Sequence, residues 1–464
     1  MAGGGLMQLV AYGAQDVYLT ANPQVTFFKQ TYRRHSNFAM ESVEQTFSGV
    51  ANFGKSVSCT LGRNGDLVTR VVLQVTLPKV DLNALITDSS NPNDQFRWLN
   101  YVGHLLIRNV DIEIGGQKID KHYGDWLHIW NELTCPSGKQ LGYAEMVGNV
   151  PEMVNLITNV GTESGCVDDC VGGEPPRADS DRSCIPQYTV YVPLQFWFNR
   201  HNGLALPLIA LQYHEVKIKI DFNELRNLCW TNNLEIRDTV NAMGIVASSL
   251  YVDYIYLDTE ERRRFAQVAH EYLIDQLQFT GDEAVTSNFN RIKMSFNHPV
   301  KEIIWVVQRD SFISCDPAVI DPYKGQQSFN YTDYWDRAVL DSGYAVGMVT
   351  GLAGHNPTSV AKIQLNGHDR FTEREGRYFN LVQPYYHHTN IPATGVNVYS
   401  FGLTPEEHQP SGSCNFSRID SATLNLTLTN NVVNDTCTAK VRVYALNYNI
   451  LRVMSGMGGL AYSN

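Results

Sequence analysis

The chain has 464 residues, enough for two or three domains that each bury a core of their own. Its formal net charge is −11, and lysine and arginine do not gather in one long stretch, which argues against a protein that wraps nucleic acid. No run approaches the ~18 consecutive apolar residues of a membrane-spanning helix, and no secretion signal opens the sequence. We therefore expect a protein made in a cytosol, and its 24 Tyr and 19 Phe favour strands over helices.

The first predicted elements are a strand and a hairpin. Apolar and polar residues alternate along residues 68–77 and 110–120, which is the pattern of an antiparallel sheet with one face on a core. Gly115-Gly116 interrupts the second run, and two glycines between alternating segments predict a two-residue hairpin turn. The alternation returns at residues 216–222, so the first half of the chain is predicted to be mostly β.

One short helix follows the hairpin. Trp126, Ile129, Trp130 and Leu133 have the spacing of one helical face, and Asp125 is placed to cap the first turn. A helix that bridges two sheets or lies over the end of a barrel is the preferred interpretation. Binding of an aromatic ligand by these side chains is the alternative.

Residues 155–187 are acidic, rich in Gly, Pro and Ser, and poor in large apolar side chains, which predicts a long exposed loop inserted in the first half. Cys166, Cys170 and Cys184 could begin a zinc site, but no fourth cysteine or histidine lies nearby. The nine cysteines of the chain, widely spaced, instead favour free thiols in a reducing compartment. The aspartates at 168–169 and 179–181 could bind calcium, although a solvated acidic tip is the preferred interpretation.

Three segments of the first half recur in the second half in the same order, which predicts two similar domain-sized units. The pairs are residues 68–77 with 300–308, 110–120 with 361–371, and 249–258 with 441–451. In the second hairpin, Asn366-Gly367 takes the place of the two glycines. A polar stretch at residues 259–270 predicts a short helical linker with the boundary near residue 262. The chain thus divides into an N-terminal arm (1–24), a first unit (25–261) and a second unit (262–464).

The search for catalytic motifs returns nothing: H-E-x-x-H, G-x-S-x-G, C-x-x-C and the P-loop are all absent from the sequence. His387 and His388 are adjacent, so on a strand their side chains would point to opposite faces. His122 and His128 flank the short helix without a further ligand at suitable spacing. We predict no catalytic, cofactor-binding or metal-binding residues and no enzymatic activity.

Four N-x-[ST] triplets begin at Asn330, Asn415, Asn425 and Asn434. In a cytosolic protein such triplets are interpreted as chance matches, and they are weak candidates for glycosylation.

Several long strings of the sequence resemble the major capsid proteins of nucleocytoplasmic large DNA viruses, of the phycodnavirus and marseillevirus type. The resemblance covers nearly the whole chain apart from residues 155–187. The strings are GGGLMQLVAYGAQDVYLTANPQVTFFKQTYRR, RNGDLVTRVVLQVTLP, HYGDWLHIWNELT, YVPLQFWFNRHNGLALPLIALQYHEVKI, NHPVKEIIWVVQ and VYALNYNILRVMSGMGGLAYSN.

This resemblance implies an all-β fold of two consecutive eight-stranded jelly rolls, with short helices and long loops. It also implies a homotrimer with a near-hexagonal outline that tiles an icosahedral virion shell beside neighbouring capsomers, after synthesis and assembly in the host cytoplasm. By the same analogy, the arm lies at the capsomer base facing minor capsid proteins and an internal viral membrane that it does not span. Long loops, including residues 155–187, would rise on the outer face of the capsomer. No direct contact with nucleic acid is expected. The resemblance also implies that the protein can carry glycans at sites that do not follow the N-x-[ST] rule, as members of the family often do.

Two other functions remain open at this point. Bacterial peptide:N-glycosidases also pair two jelly rolls, and such a carbohydrate-active enzyme needs acidic residues that converge in a cleft between the domains. Glu271, Asp275 and Glu302 lie near the junction in sequence and are the candidates, although surface charge or linker support explains them equally. A lectin is the third possibility, and it would need an exposed aromatic and polar sugar site.

Overall fold

The structure is a computed structural model that describes residues 3–24, 28, 30–85, 94–159, 183–313, 327–333, 354–433 and 438–462. The zinc alternative at Cys166 and Cys170, the calcium alternative at residues 168–169 and 179–181, and the triplet at Asn434 lie outside the described residues.

The chain divides into two units, Met1–Phe38 and Ala39–Asn464. In the first unit the structure places two short helices, α1 (Gly4–Val10) and α2 (Val17–Thr20), and neither contains a buried residue.

The second unit is built mainly from antiparallel strands. Those that precede residue 258 are β1 (Phe38–Gln45), β2 (Ser56–Thr60), β3 (Leu67–Leu77), β4 (Val80–Asp81), β5 (Gln95–Trp98), β6 (Ile107–Ile114), β7 (Gln117–Tyr123), β8 (Ile157–Thr158), β9 (Cys184–Ile185), β10 (Tyr188–Pro193), β11 (Leu206–Pro207), β12 (Val216–Phe222), β13 (Cys229–Thr231) and β14 (Ala247–Leu257). Those that follow are β15 (His270–Val285), β16 (Phe289–Lys293), β17 (Pro299–Arg309), β18 (Thr358–Leu365), β19 (His368–Asp369), β20 (Arg374–Glu375), β21 (Asn397–Ser400), β22 (Cys414–Asn415), β23 (Ala422–Leu428), β24 (Ala439–Met454) and β25 (Met457–Leu460).

Helices in this unit are short and connect the strands. They are α3 (Leu82–Leu85), α4 (Val102–Leu106), α5 (Gly124–Thr134), α6 (Gln140–Met146), α7 (Pro151–Val154), α8 (Trp197–Arg200), α9 (Leu234–Met243), α10 (Thr259–Gln267), α11 (Asp310–Ile313) and α12 (Gln383–His387), the last preceded by a π-helical turn, Tyr378–Val382. Helix α10 lies where the sequence predicts a helical linker, so that prediction is confirmed.

Two sheets share one core in each half of the chain, and each sheet has a main path of four hydrogen-bonded strands. In the first half they are sheet A (β1-β14-β3-β10) and sheet B (β2-β12-β6-β7), and in the second half sheet C (β15-β24-β17-β21) and sheet D (β16-β23-β18-β19). Leu73 of sheet A and Ile112 of sheet B belong to one buried cluster, and Trp305 of sheet C and Leu424 of sheet D belong to another. Each fully buried aliphatic side chain in these cores contributes about 1.5–3 kcal/mol. Eight strands in two facing sheets form a jelly roll, and the chain contains two in succession.

The repeated segments occupy matching positions in the two jelly rolls. Residues 68–77 fall in β3 and residues 300–308 in β17, which are the third strands of sheets A and C. The paired hairpins form β6-β7 and β18-β19, and the paired final segments lie in β14 and β24. The prediction that the chain repeats one β-rich unit is confirmed strand by strand.

Both hairpin turns have the backbone that the sequence predicts. Gly115 and Gly116 have φ of 58° and 83°, and Asn366 and Gly367 have φ of 50° and 81°. Two successive residues with positive φ form a turn whose twist matches the flanking strands, and glycine and asparagine adopt that backbone at low cost.

Two predictions from the sequence are wrong. Asp125 lies within the first turn of α5 instead of capping it, and its carboxylate binds the Arg442 guanidinium. Cys184 is disulfide-bonded, and its partner lies outside the described residues. The free-thiol prediction is confirmed for Cys59, Cys135 and Cys414.

Candidate assembly site

Helix α5 joins the two jelly rolls. One of its faces is buried against the outer face of sheet C, the side turned away from the core that sheets C and D share. Trp126 stacks at a tilt on Tyr444, with ring centroids 5.6 Å apart, and Trp130 lies 5.5 Å from Trp126. The side chains in this cluster are Trp126, Ile129, Trp130 and Leu133 of α5 with Leu277, Ile304, Val306, Tyr331, Val396, Val398, Tyr444 and Leu446 of the second half. The spacing that predicts one apolar helical face is therefore explained by packing, as the preferred interpretation states.

Polar contacts surround this apolar cluster. The Arg442 guanidinium lies between the carboxylates of Asp125 and Asp282, with Nε 3.0 Å from Asp282 Oδ1. Burial alone would lower the pKa of Arg442, but these carboxylates raise it. The backbone N–H of Asn390 donates to Leu133 O at 3.0 Å, which satisfies a carbonyl at the end of α5. These contacts join the first half of the chain to the second half. They lie around the apolar cluster of α5 and sheet C and not within it.

A second polar group lies on the outer face of sheet C, where Glu302 alternates with the core residue Ile303. The Nε2 of His388 forms an ion pair with Glu302 Oε2 at 2.8 Å, its Nδ1 hydrogen-bonds Glu406 Oε1 at 2.9 Å, and its side chain is fully buried. Burial alone would lower the pKa of His388, but the two carboxylates raise it to about 9, so both ring nitrogens carry protons at neutral pH. Glu406 also accepts from the backbone N–H of Thr389 at 2.8 Å, and the hydrogen bonds from His388 and Thr389 lower its pKa against the opposing effect of burial.

The three carboxylates predicted as enzymatic candidates have separate ion-pair partners. Glu271 pairs with Arg452 at 2.8 Å on the surface, and Glu302 binds His388. Asp275 lies 3.3 Å from the Lys301 ammonium, which is also buried. The Arg200 guanidinium also lies 3.8 Å from Asp275. Carboxylates that each bind cations of the protein are typical of structural ion pairs, whereas an acid/base pair must converge on one substrate.

Asp275 and Glu406 line a cavity of about 320 Å³ beside Trp197 and His408. Both carboxylates are already engaged, Asp275 by Lys301 and Glu406 by His388 and Thr389. Neither of these two carboxylates is therefore the unpaired acid that the carbohydrate-active enzyme requires.

The histidines singled out from the sequence do not meet at a metal site. His122 contacts Asp120 at 2.9 Å and stacks on Phe196, while His128 is buried against Phe329. His387 hydrogen-bonds Leu403 O and diverges from its neighbour, although the pair lies at the end of α12 and not on the predicted strand. Across the described ranges, no group of three or more potential ligands could hold a metal ion.

The three described N-x-[ST] asparagines have different environments. Asn425 is buried in β23, and its Nδ2 donates to Gln364 Oε1 at 3.0 Å. The Nδ2 of Asn330 is part-buried and donates to Gln327 Oε1 at 2.7 Å. Asn415 is exposed, and only its Oδ1 is engaged, by the backbone N–H of Ser417.

Exposed apolar side chains cluster on the helix that follows the second hairpin. Leu381 and Val382 of the π-helical turn and Tyr385 and Tyr386 of α12 are all at least 40% exposed. We call these four residues the helix-378 face. In the unit Met1–Phe38 the large apolar side chains are exposed too, among them Leu6, Leu9 and Tyr18. The described helices include none long and apolar enough to cross a membrane.

Comparison with known proteins places these surfaces in context. The model for the N-terminus of major capsid proteins matches residues 26–258, and the model for large eukaryotic DNA virus major capsid proteins matches residues 261–459. The major capsid protein of Phaeocystis pouchetii virus is 50% identical over an alignment of 527 residues that covers 99% of this chain and all of the relative. The major capsid protein of Paramecium bursaria Chlorella virus 1 is 40% identical, and the alignment covers 99% of this chain and all of that relative.

Solved structures agree. A chain of the PBCV-1 virus capsid superposes with a TM-score of 0.72 at 36% identity, covering 95% of this chain and all of the other. The Faustovirus major capsid protein has a TM-score of 0.70 at 14% identity, which supports the fold alone, over 97% of this chain and 96% of the other. Two successive jelly rolls with these likenesses define a structural protein of a viral shell. The chain belongs to the family of major capsid proteins of large eukaryotic DNA viruses, and its place is the virion capsid.

Proposed function

We propose that this capsid protein functions as a homotrimer with a near-hexagonal outline, which packs beside neighbouring capsomers in an icosahedral shell. The observation that supports this most is the internal repeat: sheets A and C, and sheets B and D, have the same strand order. Three copies of a chain with two similar units supply six similar edges, so hexagonal packing needs only three-fold symmetry. The domain limits that we propose are residues 25–261 and 262–464. The exposed loop predicted at residues 155–187 is wrong at its two ends, because β8 and β9 are short strands with Ile157, Cys184 and Ile185 buried, and residues 160–182 lie outside the described residues.

The N-terminal arm, residues 1–24, is proposed to lie at the capsomer base, facing minor capsid proteins and the internal viral membrane without spanning it. Its support is the exposed apolar surface of α1 and α2, which contain no buried residue of their own. The net charge of −11 supports a capsid protein without direct nucleic-acid contact, and assembly in the host cytoplasm is part of the same proposal.

We propose no enzymatic activity for this protein, because each candidate carboxylate is already bound to a cation of the protein.

Among the N-x-[ST] triplets, Asn415 is the proposed glycosylation site, since Asn415 is exposed and Asn425 is buried. Intact mass of protein from infected cells should fall by one glycan in Asn415→Gln and stay unchanged in Asn425→Gln. An unchanged mass in Asn415→Gln would contradict the assignment.

The trimer is tested by light scattering of the purified protein over a concentration series. We expect a particle of three 52.2 kDa chains, with a hexagonal outline in negative-stain images. An obligate contact between copies should bury on the order of 2,000–5,000 Å². A monomer at all concentrations would refute the proposal.

A further inference from the structure

The two jelly rolls carry an equivalent helix after their hairpins, and a glycine fixes the correspondence between them. A Cβ at Gly124 would overlap the backbone oxygen of Ile107, the first residue of β6. A Cβ at Gly376 would overlap the backbone oxygen of Thr358, the first residue of β18. Because β6 and β18 hold the same place in sheets B and D, the two glycines are equivalent positions.

Counting from these glycines aligns the two helices residue by residue. Leu127 and Phe379 both point into the core of their own jelly roll. The residues on the opposite side of the two helices differ in exposure. Ile129, Trp130 and Leu133 of the first helix are 0%, 4% and 0% exposed. Their counterparts in the second helix, Leu381, Val382 and Tyr385, are 45%, 40% and 68% exposed. The first helix is covered by sheet C of its own chain, and the helix-378 face is open.

The surface that receives α5 also has an open counterpart. In sheet C, Tyr444 pairs with Ile304, and both are 1% exposed beneath α5. At the same ladder position of sheet A, Tyr251 pairs with Val72, and both are only part-buried. Tyr191, next to them in β10, pairs with Gln74 and is 40% exposed. We call the side chains of Val72, Gln74, Tyr191 and Tyr251 the sheet-A face.

We infer that the helix-378 face of one copy packs on the sheet-A face of the next copy, as α5 packs on sheet C within one chain. The inference rests on the proposed trimer and deepens it by naming the contact. Each copy then contributes its helix-378 face to one neighbour and its sheet-A face to the other. Such a head-to-tail interface closes into a ring when the rotation that relates neighbouring copies brings the last copy back to the first. The contact within the chain and the contact between chains would alternate around six jelly rolls.

The contact between copies differs from the one within the chain in its charge. Arg377 stands where α5 has Asp125, and Ser249 stands at the ladder position of Arg442, so the Asp125–Arg442 ion pair has no counterpart. Of the eight side chains that make up the two faces, Gln74 alone is neither aliphatic nor aromatic, and such a composition is expected at the buried centre of an obligate interface.

The test uses three variants with the same substitution at exposed tyrosines of the full chain. Tyr385→Asp changes the helix-378 face, Tyr191→Asp changes the sheet-A face, and Tyr213→Asp is the control, at 76% exposure and outside both. We expect wild type and Tyr213→Asp to be trimers and each of the other two to be a monomer with unchanged thermal unfolding.

Mixing Tyr385→Asp with Tyr191→Asp tests whether the two faces bind each other. The mixture retains one intact helix-378 face and one intact sheet-A face, so it should form a dimer that cannot close into a ring. A trimeric Tyr385→Asp variant, or a mixture that stays monomeric, would overturn the inference while the wild-type trimer stands. A monomeric wild type would instead refute the proposed trimer itself.

Discussion

His388 is a buried charge that two acidic side chains hold in place. Its ring forms an ion pair with Glu302 of β17 and a hydrogen bond with Glu406, which lies in the segment between β21 and β22. A buried histidine without such partners would be neutral at physiological pH, because burial disfavours the charged form. His104 is the contrast in the same molecule: it is buried without a carboxylate, and burial lowers its pKa to about 3.

The raised pKa of His388 predicts a loss of stability at alkaline pH. The folded-state value, about 9, lies above the ordinary value of 6.5, so the folded protein keeps this proton when the unfolded chain has lost it. The stabilisation is therefore complete below about pH 6.5 and is lost as the pH rises through about 9, with a size of roughly 3 kcal/mol.

Thermal unfolding measured between pH 6 and 10 checks this, comparing wild type with His388→Gln. The variant should be less stable at neutral pH, and its difference from wild type should shrink toward the alkaline end. His387→Gln is the control, because His387 bonds only a backbone oxygen, and it should follow the wild-type profile. A difference between His388→Gln and wild type that does not change with pH would show that the His388 charge contributes nothing.

Helix α5 is one of the elements that join the two jelly rolls. Trp130 packs in the cluster on sheet C, and the Arg200 guanidinium lies 4.7 Å above its ring. Trp130→Ala should lower the free energy of unfolding by about 3–5 kcal/mol, because it removes a large buried side chain and leaves a cavity. Urea denaturation measures the change.

Leu141→Ala is the matched control for that substitution. Leu141 lies on the nearby helix α6 but is 78% exposed, so its truncation should change the unfolding free energy by less than about 0.5 kcal/mol. Equal effects of the two substitutions would mean that α5 is not tightly packed between the jelly rolls.

Local chemistry made the strands, the hairpin turns and α5 predictable from the sequence. Alternation fixes which face of a strand is buried, and Asn366-Gly367 specifies its turn through backbone preferences alone. What covers a helical face is not local. Leu381 and Ile129 are both aliphatic residues on short helices, yet only Ile129 is buried, because sheet C of the same chain lies over it.

The buried polar group around His388 was not predictable for the same reason. Glu302 and Glu406 are far from His388 in the sequence, so no spacing brings the three together. The adjacent histidines fit a strand by sequence, but Pro384 occupies the first turn of a helix that ends at His387. A proline at that position is a helix-start signal, and it is present in the sequence.

At the scale of the whole molecule, one contact geometry serves twice in the trimer that we propose. The α5 contact is made within the chain, and the helix-378 face and sheet-A face offer the same two surfaces to other copies. A duplicated unit can therefore build a six-part ring from three chains without evolving a second kind of interface. The constraint is that both helices must keep the glycine that lets them approach the first residue of β6 or β18.

In the shell that we propose, the arm acts at a different level of assembly than the ring of six jelly rolls. Its apolar side chains, including Leu6, Leu9 and Tyr18, are exposed, and α1 and α2 contain no buried residue. Such a segment gains stability only when another surface covers it, and the proposed surface is at the base of the shell. Deleting residues 1–24 should therefore leave the trimer and its thermal unfolding unchanged but impair the formation of closed shells in infected cells.

Light scattering and electron microscopy of particles separate the two effects of this deletion. A full-length chain with Leu6, Leu9 and Tyr18 replaced by serine separates the length of the arm from its apolar surface, since it keeps the first and removes the second. It should fail at shell formation as the deletion does, because burial of these side chains is the driving force. Loss of the trimer in either variant would place the arm in the contact between copies, and normal shells in both would leave the arm without a role in assembly.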